Sequence, residues 1–287
     1  MSEHLRYHTG KRVFIFLIIL LISGLVGIAI SAAFVFAGDT GMKIAQGLSS
    51  IFMFVVPPIV YYNITRKRHP MESLGFRKPA DPWWLLIIGV ALMIISMPVT
   101  NQLTRWNEAM NLGFFEKLED YLKALEETAS ATTEKMLNVD TIGGLLLNLL
   151  VIALIPAVGE ELTFRGVLQQ GLNRKMNPHA AIILSAAIFS FIHFQFYGFL
   201  PRMFLGILLG YMFYITGSLW TSIAMHFVNN GTAVVVYYLN HKGIIHVDVE
   251  HFGEVQRPWL VVISAVVTVA LIAWSWWRVN QTKKGDD

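Results

Sequence analysis

The chain has 287 residues, of which 55% are hydrophobic and 14% charged, against roughly 25% charged in an ordinary soluble domain. That balance excludes a soluble globule and describes a chain whose main solvent is lipid. It has no cysteine, which excludes disulfides, thiolate metal sites and cysteine nucleophiles, and its formal charge of +3 gives no argument for nucleic acid.

A membrane span needs about 20 mainly apolar residues. Windows of that kind fall near 12–36, 43–65, 83–104, 141–172, 178–197, 199–216, 218–240 and 258–278, which predicts an all-α integral membrane protein with about eight transmembrane helices. The first window follows Arg6, Lys11 and Arg12, but its apolar run exceeds the ~7–15 residues of a signal peptide, so it is read as a retained span. Between the third and fourth windows, residues 105–140 are rich in acid: Glu116, Glu119, Asp120, Glu126, Glu127 and Glu134. Phe115, Leu118, Tyr121, Leu122 and Leu125 recur there at helical spacing. This predicts an amphipathic surface helix, either a solvated connector or a lid over an entrance.

The fourth window is too long for one straight crossing and carries Pro156, which removes a helix hydrogen bond and kinks the chain. After the seventh, His241, His246, Asp248, Glu250 and His251 read as a solvated loop rather than a metal cluster. Arg66, Lys67, Arg68, Arg77 and Lys78 crowd the second loop, Arg174 and Lys175 the fourth, and Arg278, Lys283 and Lys284 the C-terminus. All share the side of the basic N-terminus, the positive-inside pattern with both termini cytoplasmic in a bacterial-type plasma membrane. The chain divides into N-terminal membrane helices with the extracytoplasmic amphipathic loop (1–140), a core (141–241), and a last span with a cytoplasmic tail (242–287). No repeat is visible.

Within the spans, polar groups are few. The stretch GEELTFRGVL supplies Glu160, Glu161 and Arg165, the fifth window His193, and the seventh His226, Asn229 and Asn230. A charged side chain at the bilayer centre costs about 3 kcal/mol on insertion scales, so such groups mark function by default. Glu161 and Arg165 are four apart and face each other as an ion pair, whereas Glu160 is turned by about 100° and left free for chemistry. His226 and Asn230 share a helix face, and Phe189 lies one turn before His193. A carboxylate and an imidazole from different helices can hold a water and take its proton as it attacks a carbonyl. A second imidazole with an amide can stabilise the oxyanion, at about 3–4 kcal/mol per donor. Each residue also has a structural reading: His193 as a helix bridge, Phe189 as packing, the two asparagines as interhelical hydrogen-bonding glue. Glu160, His193 and His226 are also a three-ligand set that zinc can take. A proton-relay transporter would predict inverted repeats.

Glu160-Glu161 with Arg165 resembles the EExxxR motif of the CPBP (CAAX protease and bacteriocin-processing, or Abi) family of intramembrane endopeptidases. Phe189 to His193 resembles its FxxxH motif and His226 to Asn230 its HxxxN motif, in the same order on successive apolar segments. The resemblance covers residues 141–241. It implies a conical catalytic cavity between the fourth, fifth and seventh helices and hydrolysis of peptide bonds in membrane-associated or lipidated, CAAX-type proteins or peptide precursors. It further implies that Glu160 and His193 activate water, that His226 and Asn230 form the oxyanion hole, and that Glu161, Arg165 and Phe189 support them. No metal is required, although family members have been labelled metalloproteases and zinc on Glu160, His193 and His226 is the other expectation. The family also suggests a non-catalytic scaffold or bacteriocin-immunity protein acting on a membrane-protein partner. Because the motif helix runs on to Arg174 and Lys175, the site is expected toward the cytoplasmic half of the bilayer.

Overall fold

The computed structural model describes residues 3–65, 70–77, 83–111, 113–249 and 252–285. Helices account for nearly all of them, and there is no strand among the described residues. Helix α1 is Glu3–Val35, and α2 is Gly38–Thr65 with a π segment at Ile51–Val55. A short α3, Pro70–Leu74, is followed by α4, Trp84–Ile95, and α5, Met97–Glu108. Helix α6, Glu116–Leu137, is the amphipathic element. Then come α7, Ile142–Leu172, and α8, Pro178–Phe191, followed by α9, Phe199–Thr216, α10, Leu219–His241, and α11, Pro258–Gly285.

Five helices are long and apolar enough to cross a membrane, or six if the bent pair α4–α5 is one span. The sequence windows number about eight. The difference lies in α8, which has 14 residues, and in α10, whose 23 residues include His226, Asn229 and Asn230. The 43° bend between α4 and α5 has a local cause. Pro98 cannot donate to the carbonyl four residues before it, and the neighbouring Ile95 carbonyl takes a hydrogen bond from Ser264 on α11 instead.

In a bilayer, apolar burial does not drive helices together, so close contact comes from small residues and polar bridges. Helix α1 presents Phe14, Leu21 and Ile28 outward and turns its small face to α2, where Ser49 donates to or accepts from Ser31 at 3.0 Å. Helix α7 approaches α2 through Gly159. A Cβ there would stand 2.9 Å from the Phe54 Cβ and 3.0 Å from the Val55 Cγ2. Thr163, one turn on, donates to the Phe54 carbonyl at 2.8 Å. We expect Gly159→Val to lower stability by about 1–3 kcal/mol through overpacking. Thermal unfolding in detergent checks this, and an unchanged midpoint would mean that α2 gives way.

The bundle has two chemically distinct ends. At one, Arg77 Nε donates to the Gly217 carbonyl at 2.6 Å, Leu219 N to the Gly75 carbonyl at 2.9 Å, and Gln170 Nε2 to the Ser73 carbonyl at 3.2 Å. Arg12 and Arg174 stand together at the edge of one small hollow there. At the other end, Asn107 bridges α5 to the turn before α9, donating to the Phe196 carbonyl at 2.7 Å and accepting from Leu200 N at 2.6 Å. Helix α6 lies across this second end. Lys135 on α6 reaches Asp39 at 3.5 Å, and Tyr197 N donates to Glu126 at 3.3 Å.

Candidate functional site

Helix α7 carries the acidic pair, and its backbone is irregular on both sides of it. π segments at Leu149–Leu154 and Leu162–Gln169 flank the α-helical turns Ile155–Glu161, a distortion that recurs at functional sites. Pro156 has no N–H to give the Ile152 carbonyl. That carbonyl instead lies 3.5 Å from Asn230 Nδ2 on α10, so the irregular helix is tied to its neighbour next to the acidic pair.

The expected pair is present: Arg165 donates to Glu161 Oε1 at 2.7 Å, with both side chains almost wholly buried. Arg165 also donates to the Gly206 carbonyl at 2.8 Å, and its guanidinium stands over the Phe189 ring at 5.2 Å. The same Glu161 oxygen is 2.9 Å from His226 Nδ1, while His226 Nε2 is 3.6 Å from Glu160 Oε2. Arg165, Glu161, His226 and Glu160 thus form one chain of contacts between α7 and α10. Glu161, read from the sequence as a partner of Arg165, also orients His226. A carboxylate only accepts, so the hydrogen between them sits on Nδ1 and the opposite nitrogen, Nε2, faces Glu160.

His193 lies just beyond α8, before Phe194, whose φ of 54° places the chain in the left-handed region at a non-glycine residue. His193 Nδ1 is 2.7 Å from the Phe189 carbonyl. A carbonyl can only accept, so Nδ1 carries the hydrogen and, in the neutral ring, Nε2 keeps its lone pair. Phe189 is the plate on which these groups rest. Its ring meets His193 at 5.0 Å and His226 at 5.9 Å, both edge to face, and it is fully buried. Packing is its role here, and what it packs is the site.

Glu160, Phe189, His193, His226, Asn229 and Asn230 all line one cavity of about 780 Å³. These residues come from the fourth, fifth and seventh windows, which do not enclose the space alone. Thr100, Thr104 and Glu108 from α5, Lys123, Glu126, Glu127 and Ser130 from α6, and Tyr197, Pro201 and Arg202 at the start of α9 complete the wall. Helix α6 is thus a cover over the cavity as well as a connector. Arg202 donates to the Gln195 carbonyl at 3.1 Å and to its side chain at 2.9 Å. Burial pushes the Glu126 carboxyl up from its ordinary range, against the hydrogen bond from Tyr197 and the charge of Arg202, which both pull it down; Glu108 nearby adds to the rise.

Among the described residues, no three His, Asp or Glu side chains stand close enough together to hold a metal ion. At the last residue of α10, His241 pairs with Asp140 at 3.1 Å, and Glu250 and His251 lie outside the described residues.

Arg202, Tyr197 and Glu126 carry no local sequence signal that marks them as cavity residues. The amphipathic pattern of residues 105–140 is compatible with a lid, but its spacing does not say which side chains point inward.

An all-helical, multi-pass membrane protein with its polar groups gathered at the floor of a cavity is the class that these features define. Residues 142–232, about a third of the chain, match the family model described as Type II CAAX prenyl endopeptidase Rce1-like, of the CPBP family. Comparisons with curated proteins and with solved structures gave no match. The matched segment begins at α7 and ends within α10, and it contains all three motifs.

Proposed function

We propose that the protein is an intramembrane endopeptidase that uses Glu160 and His193 to activate water against a peptide carbonyl. The observation that carries this reading is the chain Arg165–Glu161–His226–Glu160 at the floor of a cavity that His193 also lines. The Rce1-like segment supports a CAAX-type protease.

In this mechanism the lone pair of His193 Nε2 accepts a hydrogen bond from the water, and Glu160 takes the other proton as the oxygen attacks the carbonyl carbon. The carbonyl oxygen becomes negative in the tetrahedral intermediate. His226, carrying a proton on both ring nitrogens in this role, donates through Nε2, and Asn230 donates through its amide. Glu160 then delivers its proton to the leaving nitrogen as the C–N bond breaks. Glu161, fixed by Arg165, holds the His226 ring in place, and Phe189 sets the planes of both imidazoles. The substrate is a peptide or lipidated protein lying in the bilayer, and each of these steps runs on the chain's own side chains.

The test is cleavage of a mixed peptide library, with a farnesylated CAAX peptide among its members, by the purified protein in detergent with and without a strong chelator. Cleavage that survives chelation is expected, and the products identify the substrate class. Activity lost on chelation and restored by zinc would replace this reading with a metal-dependent one.

A further inference from the structure

We propose that the cavity is served from the non-cytoplasmic side of the membrane, so that the substrate is a peptide segment already carried across it. This inference rests on the peptidase reading above and adds the side from which that site is fed.

Two independent observations carry it. The first is where the cavity leads. Helix α7 starts at the end of the bundle covered by α6 and finishes at the end where Arg77, Arg174 and Lys175 lie. Glu160 stands about three-fifths of the way along it, nearer the basic end, at 1.5 Å per residue. Access, however, runs the other way. From Glu160 and His226 the wall continues through Ile152 and Pro156 toward the start of α7, and through Thr104 and Glu108 toward the end of α5. It finishes at Glu127 and Ser130 on α6. Among the described residues, none from the turns at the basic end takes part: the lining contains nothing from 70–77, 172–178 or 216–219. The Tyr62 hydroxyl, donating to the Gly166 carbonyl at 3.1 Å, and Gln170, donating to the Leu74 carbonyl at 3.3 Å, tie α7 to α2 and α3 between the site and that end.

The second observation is charge. The end that closes over the site is the one where the chain concentrates Lys and Arg, in the N-terminal segment and in the loops after α2 and α7. The end that opens carries the acidic helix α6, with Glu116, Asp120, Glu126, Glu127 and Glu134, together with Asp39 and Asp140. Short basic loops stay in the cytoplasm, so the open end faces away from it. A segment reaching Glu160 by this route passes under α6 and meets Glu126, Glu127 and Lys123 before the floor. The step that supplies such a substrate is translocation across the membrane. Cleavage follows it.

The absence of native cysteine makes the test direct. Single cysteines at exposed positions on the two ends, Ser130→Cys on α6 and Lys175→Cys after α7, are treated in intact cells with a membrane-impermeant maleimide. The expected result is labelling of Ser130→Cys in intact cells and of Lys175→Cys only after permeabilisation. The reverse pattern would overturn the proposal whatever the activity. In the same cells, a library-derived peptide substrate added outside should be cleaved by the wild type and not by Glu160→Gln. Correct labelling with no cleavage in either the purified or the cellular assay would overturn the peptidase reading and the substrate class while leaving the orientation in place. Cleavage by purified protein but not from outside would overturn the route of access.

Discussion

Arg165→Met is expected to destabilise the protein by about 3–5 kcal/mol, the cost of removing one partner from a buried ion pair. Arg165 is 1% exposed and Glu161 fully buried, so neither charge finds solvent when the other is gone. The arginine also satisfies the Gly206 carbonyl on α9 and lies against Phe189. Its loss therefore loosens α7 from α8 and α9 together. Lysine should rescue only part of this, because a single ammonium cannot bridge a carboxylate and a carbonyl in the geometry of the planar guanidinium. The double variant Arg165→Met, Glu161→Leu should recover much of the stability, since a buried pair replaced as a unit by apolar groups is often neutral. It should not recover activity, because His226 loses the carboxylate that orients it. Unfolding in detergent measures the first effect and peptide cleavage the second. A single variant within about 1 kcal/mol of wild type would mean that water or lipid headgroups reach Glu161.

Glu160→Gln is expected to lower kcat/KM by about 10²- to 10⁴-fold, the usual contribution of a general base. The replacement keeps shape and removes basicity. Its structural cost should be small, because the nearest ionisable contact of Glu160 is His226 at 3.6 Å, whereas Glu161 holds two partners at 2.7 and 2.9 Å. The adjacent glutamates should thus separate cleanly, one substitution removing activity with the fold intact and the other disturbing both. Circular dichroism and unfolding beside the cleavage assay check the separation. Activity within tenfold of wild type would assign the base elsewhere.

Much of this arrangement is written in local spacing. The pairing of Glu161 with Arg165 follows from an interval of four, and the π segment beginning at Leu162 does not break it. The cavity wall from the fourth, fifth and seventh windows follows from the rarity of polar groups in apolar segments. What spacing cannot carry is contact between distant parts of the chain. The bond from His226 to Glu161 spans 65 positions, and the one from Tyr197 to Glu126 spans 71. Tyr197 and Arg202 sit beside a turn and look like ordinary end-of-helix residues until α6 is laid over them. The direction of access was likewise hidden, because the floor lies nearer one end of α7 while the opening lies at the other. The window count near eight and the five or six apolar spans differ where the site itself dilutes the apolar signal, in the short α8 and in α10 with its histidine and asparagines.

Whether Glu160 drives hydrolysis of a peptide bond inside the membrane domain is decided by one comparison. It places purified wild type and Glu160→Gln side by side on the same peptide library in detergent, with the new termini mapped by mass spectrometry. The account predicts defined cleavage by wild type and loss of those products in the variant at unchanged unfolding temperature. Equal cleavage by both proteins would contradict it.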